Sequence, residues 1–225
     1  MNDLNKKAFG GLFISIVILG ICLFLPAWTL DYWQAWIFLS IFSLSILAIT
    51  LYLMKKDPKL LARRMKANPS DETERNQKIL HYIARLAFIG LFILSGTDHR
   101  FGWSFIPVYM VLAGDLLIAL GLLIIFFVFK ENSFASTTVQ VTGDQKIIST
   151  GPYAIVRHPM YTGAFIMLLG IPLSLGSWWS FIMVILFIVV IIWRLLEEEI
   201  FLSKNLPGYP VYINKVRYRL LPQIW

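Results

Sequence analysis

Apolar runs separated by short polar connections divide this chain. Four of them, at about 8–26, 33–54, 79–96 and 105–129, are almost free of charge. A helix rises about 1.5 Å per residue, so roughly 20 apolar residues cross the hydrocarbon core of a bilayer. The pattern therefore predicts four transmembrane helices. A shorter apolar pair follows, at about 162–175 and 178–193, with Gly170 and Pro172 inside its first arm and Gly176 at the turn. This predicts a short helical hairpin that brings the chain back to the face it left.

The polar connections alternate in character. Segment 55–78 holds eight Lys and Arg, whereas 27–32 and 97–104 hold only Arg100 between them. Basic loops stay on the cytoplasmic side, so the N-terminus, 55–78 and 130–160 are expected there. Trp28, Tyr32, Trp33, Trp36, Trp103, Trp178 and Trp179 fall at the opposite ends of the apolar runs. Amphipathic rings collect at the headgroup level, which supports the same orientation. Segment 130–150, polar and β-branched, reads as an ordered loop with a turn at Thr142-Gly143-Asp144. Gly208 is expected just past a helix end.

Composition adds the class. Of 225 residues, 58% are hydrophobic, and the mean hydropathy is +0.70. Such a chain belongs in a membrane. The expectation is an all-α integral membrane protein, multi-pass, forming one domain over 1–225. Residues 1–129 would make its four-helix part, and 130–225 its catalytic part at the cytoplasmic face. The basic start and apolar core of the N-terminus lack a small-x-small cleavage site, so they read as an uncleaved first helix. The net charge of +7 fits basic loops beside anionic lipid, and nucleic acid is not expected as a partner. Cys22 stands alone, and His81, His99 and His158 have no metal-ligand spacing, so neither a disulfide framework nor a metal site is expected.

Candidate chemistry gathers in "GPYAIVRHPMYTG" (151–163) and "RLLEEE" (194–199). The predicted hairpin puts both stretches on one membrane face. Pro159 suits a helix start, and the free N–H groups of that first turn would add to Arg157 and His158 as an anion receptor. Arg194 and Glu198, four apart, share a helical face. Each group also has a plain reading, Arg157 and His158 as snorkelling interface residues and Glu197, Glu198 and Glu199 as a solvated helix end. Together they suit a zwitterion carrying one more positive charge. Asp115, deep in an apolar helix, is expected to bond another helix instead of acting in chemistry. No Gly-x-Gly and no Gly-x-Ser-x-Gly occurs, so dinucleotide, P-loop and hydrolase-elbow chemistry have no support.

Three ordered motifs, "GPYAIVRHPMYTG", "RLLEEEIFL" and "GYPVY", resemble the isoprenylcysteine carboxyl methyltransferase family, within a wider group of membrane methyltransferases. The resemblance spans about 130–225; the earlier helices match only in kind. It implies S-adenosylmethionine as cofactor, bound at the cytoplasmic face, and a lipophilic or lipid-anchored methyl acceptor, a carboxylate first. It implies that Tyr153, His158, Pro159, Met160 and Tyr161 line the cofactor pocket. Gln140, Gln145, Lys146, Ile147 and Ile148 would form another wall, although eukaryotic members carry a histidine where Gln145 stands. Glu198, with Glu199, would hold the cofactor, and Arg194 would face the acceptor, with Arg157 as a second catalytic cation. A carboxylate is already ionised at neutral pH and needs no general base, whereas the amine or thiol of the alternative acceptors, a phospholipid or a small thiol, would need one. The alternative of another class is a transporter subunit without enzymatic activity. The polar residues argue against it, since they collect at one end instead of lining a path.

Overall fold

The computed structural model describes residues 3–65, 75–135 and 147–225. Among them the regular elements are all helical. In chain order they are α1 (Asp3–Ala27), α2 (Trp33–Lys56), α3 (Pro58–Met65), α4 (Arg75–Phe101) and α5 (Val108–Glu131). A 3-10 turn at Gly151–Ala154 precedes α6 (Pro159–Ser174), α7 (Phe181–Asn205) and α8 (Tyr209–Lys215). Helices α1, α2, α4 and α5 are long and apolar enough to cross a membrane, as the hydrophobic pattern predicts. Their outward faces carry large apolar side chains such as Phe13, Ile21, Leu86 and Leu116, more than half exposed to the surroundings. Such a surface suits lipid, not water.

The hairpin differs from its expectation in one respect. Its first arm, α6, is short, but the second continues unbroken through Glu197–Glu199 to Asn205. The stretch Arg194-Leu-Leu-Glu-Glu-Glu contains only good helix formers, so nothing stops the helix where the apolar run ends. It stops at Leu206-Pro207-Gly208, where Gly208 takes a left-handed φ of 85° that a side chain would resist. The acidic residues are thus built on a rigid helix, continuous with the membrane arm.

Backbone contact decides how the hairpin docks. Glycines seven residues apart, Gly114 and Gly121 on α5 and Gly163 and Gly170 on α6, face each other in antiparallel pairs. A Cβ placed on Gly121 would lie 2.5 Å from the Gly163 carbonyl, and one on Gly170 would lie 2.6 Å from that of Gly114. Small residues let helices approach closely where lipid offers no hydrophobic drive between them. Gly96 of α4 packs in the same way on the Leu23 carbonyl of α1. The main core cluster, including Leu23, Phe38, Leu91, Ile118, Leu168 and Ile191, joins five of the long helices and α6.

The tryptophan-rich end is tied by polar bonds. Asp98 accepts from the backbone N–H of Ser104 (2.8 Å), the Ser104 hydroxyl (2.6 Å) and the Ser177 hydroxyl. Ser95 and Ser180 meet at 2.7 Å, and the Tyr32 hydroxyl donates to the Leu175 carbonyl at 2.6 Å. These bonds fix the α6–α7 turn against α2 and the α4–α5 connection. Asp115 accepts from Ser174, which is the interhelical role expected of it.

Candidate active site

The charged end of the bundle holds the motifs, and α6 and α7 position most of their side chains. His158 caps α6, and Pro159 opens it with a fixed φ and no N–H to leave unpaired. Val156, Arg157, His158 and Pro159 are all buried. The backbone N–H groups of Arg157 and His158 bond the carbonyls of Tyr218 and Arg219, at 2.9 and 3.0 Å, and Thr162 donates to the Leu220 carbonyl at 2.7 Å. The C-terminal segment after α8 is thereby laced along the start of α6.

Glu199 is the centre of the first charge cluster. It is 7% exposed. Arg157 Nε lies 2.6 Å from its Oε1, His158 Nε2 3.3 Å from the same oxygen, and Arg219 Nε 2.9 Å from its Oε2. Burial alone would raise this carboxyl. Hydrogen bonds from His158, Arg219 and Arg157 outweigh it and hold the group down at about 2. Arg157 also donates to the carbonyls of Val216 (3.0 Å) and Arg217 (2.9 Å). The anion that Arg157 and His158 receive here is thus the protein's own. Removing one member would strand buried charge, so this cluster locks α6, α7 and the C-terminal segment together.

Glu198, the next residue, faces elsewhere. Its Oε2 accepts from the Tyr161 hydroxyl at 2.7 Å, and that hydroxyl accepts from Arg194 Nε at 3.2 Å. Arg194, Tyr161 and Glu198 therefore form one line across the α6–α7 interface, all three half-buried. The shared helical face of Arg194 and Glu198 is realised through a hydroxyl from the neighbouring helix. A cation, a phenol and a carboxylate held this way offer opposite charges a few ångströms apart.

A second wall stands beside them. The Tyr153 hydroxyl accepts from Asn132 at 2.9 Å, and its carbonyl accepts from the Tyr212 hydroxyl at 2.8 Å. Burial pushes the Tyr153 phenol up to about 12, although the Asn132 bond opposes it. Met160 packs towards α2 and α3, where its sulfur lies 3.6 Å from Arg64 Nη1. Arg64 also donates to the Ala135 carbonyl at 3.2 Å and stacks 4.4 Å over the Phe129 ring. Burial lowers its guanidinium to about 10. Ile147 packs with Tyr209, Tyr212 and Leu206 beneath α8, and Ile148 is half-buried beside it in the chain. Gln140, Gln145 and Lys146 lie outside the described residues, as does the expected turn at 142–144.

The structure adds residues that the motifs did not single out for the site. Arg219 is the third partner of Glu199, and Asn132 orients Tyr153. Tyr209 is 4% exposed, and its hydroxyl has no hydrogen-bond partner among the described residues. Its charged surroundings are Glu199, Glu198 and Arg157. A buried phenol with an unused hydroxyl, beside two carboxylates, the Arg157 cation and Tyr212, is an arrangement that a polar guest would complete. The "GYPVY" spacing was the one signal for Tyr209 and Tyr212. Nothing local in the sequence marks Arg219 or Asn132, because their partners lie 20 residues or more away in the chain.

Residues 109–207 match the family model described as phospholipid methyltransferase. No curated protein matches the chain. The matched stretch carries all of α6 and α7 and almost all of α5, and with them Tyr153, Arg157, His158, Tyr161, Arg194, Glu198 and Glu199. It ends before α8, Tyr209 and Arg219. The match supports a membrane methyltransferase of the wider group to which the isoprenylcysteine enzymes also belong.

Proposed function

We propose that this protein transfers a methyl group from S-adenosylmethionine to a lipophilic acceptor, most simply a carboxylate on a lipid or lipid-anchored molecule. The observation that carries the reading is the Arg194–Tyr161–Glu198 line at the charged end of the α6–α7 hairpin. The cofactor, when bound, supplies an electrophilic methyl group on a sulfonium. The chain's residues fit such a ligand: Glu198 presents a carboxylate to positive charge, the Tyr209 hydroxyl is unspent, and α6 starts at this end of the bundle with the positive end of its dipole. Tyr161 fixes the orientation of both Glu198 and Arg194. Arg194 meets an anionic acceptor with a rigid fork of donors. Catalysis of this kind consists of orientation and charge placement. Arg157 and Glu199 hold the hairpin and the C-terminal segment in register, so their contribution is positioning. The site faces the cytoplasm in this reading, because the basic connections lie at the same end.

The description of the matching family favours a second reading, N-methylation of a phospholipid amine. Incubating the purified protein with methyl-labelled S-adenosylmethionine and membrane extract separates the two. Carboxyl methylation gives a label that mild base releases as methanol. Base-stable label in the phospholipid fraction would replace the carboxylate reading with the amine one. No transfer to any lipophilic product would reject both.

A further inference from the structure

The proposed site so far draws on α6, α7 and the chain beyond them, yet α4 runs alongside α7. Three contacts set their antiparallel register. Ser95 meets Ser180 at 2.7 Å, the Phe88 and Phe187 rings lie 6.2 Å apart, and Gly90 lies against Met183. Buried Leu91 and Val184 fill the step between the first two pairs. On both helices these positions advance by alternating steps of four and three. That spacing keeps one seam facing the partner along its length. Continued by one heptad, the same spacing would set His81 opposite Arg194, and one more step of four would set Gln77 opposite Glu198.

Gln77 fits that position for an independent reason. It lies in the first turns of α4, at the charged end, yet it is only 3% exposed. Its Oε1 has no hydrogen-bond donor among the described residues. A buried amide oxygen without a donor is costly, and native structures seldom keep one unless something else supplies the hydrogen.

We propose that Gln77 is a cofactor-binding residue contributed by α4, accepting a hydrogen bond from an N–H donor of the ligand held by Glu198. This inference rests on the methyltransferase reading. The ligand offers two such donors, the ammonium of its amino-acid part and the amine of its adenine.

The test uses calorimetry on the full chain in detergent, with S-adenosylhomocysteine and with methylthioadenosine, which lacks the amino-acid part. Gln77→Leu should weaken S-adenosylhomocysteine binding about tenfold. Its ligand-free melting temperature should not fall, because the change removes an unsatisfied buried oxygen. Gln77→Glu keeps the acceptor and should bind within about threefold of the parent, or more tightly. Loss for both ligands assigns the adenine amine, and loss for S-adenosylhomocysteine alone assigns the ammonium. Failure of the parent protein to bind S-adenosylhomocysteine would reject the methyltransferase reading itself. Normal parent binding with unchanged affinity in Gln77→Leu would overturn only the role of Gln77. So would a fall in melting temperature alongside lost affinity in both variants, which is the behaviour of a structural residue.

Discussion

Two adjacent glutamates on one helix have different partners. Glu199 is enclosed by Arg157, His158 and Arg219, whereas Glu198 shares a hydroxyl with Arg194. The pH dependence of stability should follow Glu199. Its folded value of about 2 lies below the ordinary 4.5. The unfolded chain therefore takes up a proton first as pH falls, and the stabilisation is full above about 4.5 and lost as pH falls through about 2. Melting temperatures of the parent protein and Glu199→Gln, measured in detergent from about pH 6 downwards, should converge in that window. A constant gap down to about pH 2 would show that the cluster does not depend on the carboxylate's charge. Arg194 carries a separate prediction. If its paired donors clamp an anionic acceptor, Arg194→Lys should lower turnover at least about tenfold, or about 1.4 kcal/mol on the barrier, with little change in cofactor affinity. Near-normal turnover in a folded Arg194→Lys preparation would leave Arg194 with only a structural part. Glu198→Gln should instead weaken cofactor binding by about 10- to 100-fold, because a charge-assisted bond contributes roughly 1.5–3 kcal/mol.

At the scale of elements, the α5–α6 contact determines where the site stands. Its glycine pairs bring backbone against backbone, so an added side chain has no flexible neighbour to push aside. Gly121→Val or Gly163→Val should destabilise the protein by about 1–3 kcal/mol through overpacking. Either change should also impair cofactor binding, since α6 carries His158 and Tyr161. Gly10, in α1, offers a control, because a Cβ there meets nothing within 4 Å. Thermal unfolding of Gly121→Val, Gly163→Val and Gly10→Val in one detergent would test the contrast. Equal melting temperatures for all three would remove the glycine seam as the determinant of the hairpin's seat.

For the whole molecule the prediction is one of sidedness. Charged groups collect at the end where α5 ends, α6 begins and α7 ends, while Trp28, Trp103, Trp178 and Trp179 ring the other. In a Cys22→Ala background, Arg217→Cys should react with an impermeant thiol reagent only after the cells are opened. Trp103→Cys should react in intact cells. Both residues are exposed at their surfaces, so access is decided by the membrane and not by packing. Labelling of Arg217→Cys from outside would invert the topology and move the site to the opposite face.

Long apolar runs were enough to predict the four helices long enough to cross a membrane and the hairpin, because a bilayer requires such runs and internally bonded backbone. The hairpin's return to its starting face also brought "RHPMY" near "RLLEEE" before any coordinates, since topology alone forces that meeting. The motifs in turn named Tyr161, Arg194 and Glu198, but in separate roles, and only Arg194 and Glu198 were expected to share a face. What they could not show is which atoms meet. The division of labour between Glu198 and Glu199 depends on helix rotation and on Arg219, which comes from a segment with no periodic signal. The glycine seam was present as a seven-residue spacing in two separate helices, but its pairing needed their packing. Asp98 lay at the end of an apolar run, and its role as an acceptor for Ser104 and Ser177 came from a distant turn. Gln77 looked like one more polar residue in a basic connection. Local order follows from neighbours along the chain, whereas burial and hydrogen-bond partners follow from neighbours in space, and only the folded bundle supplies those.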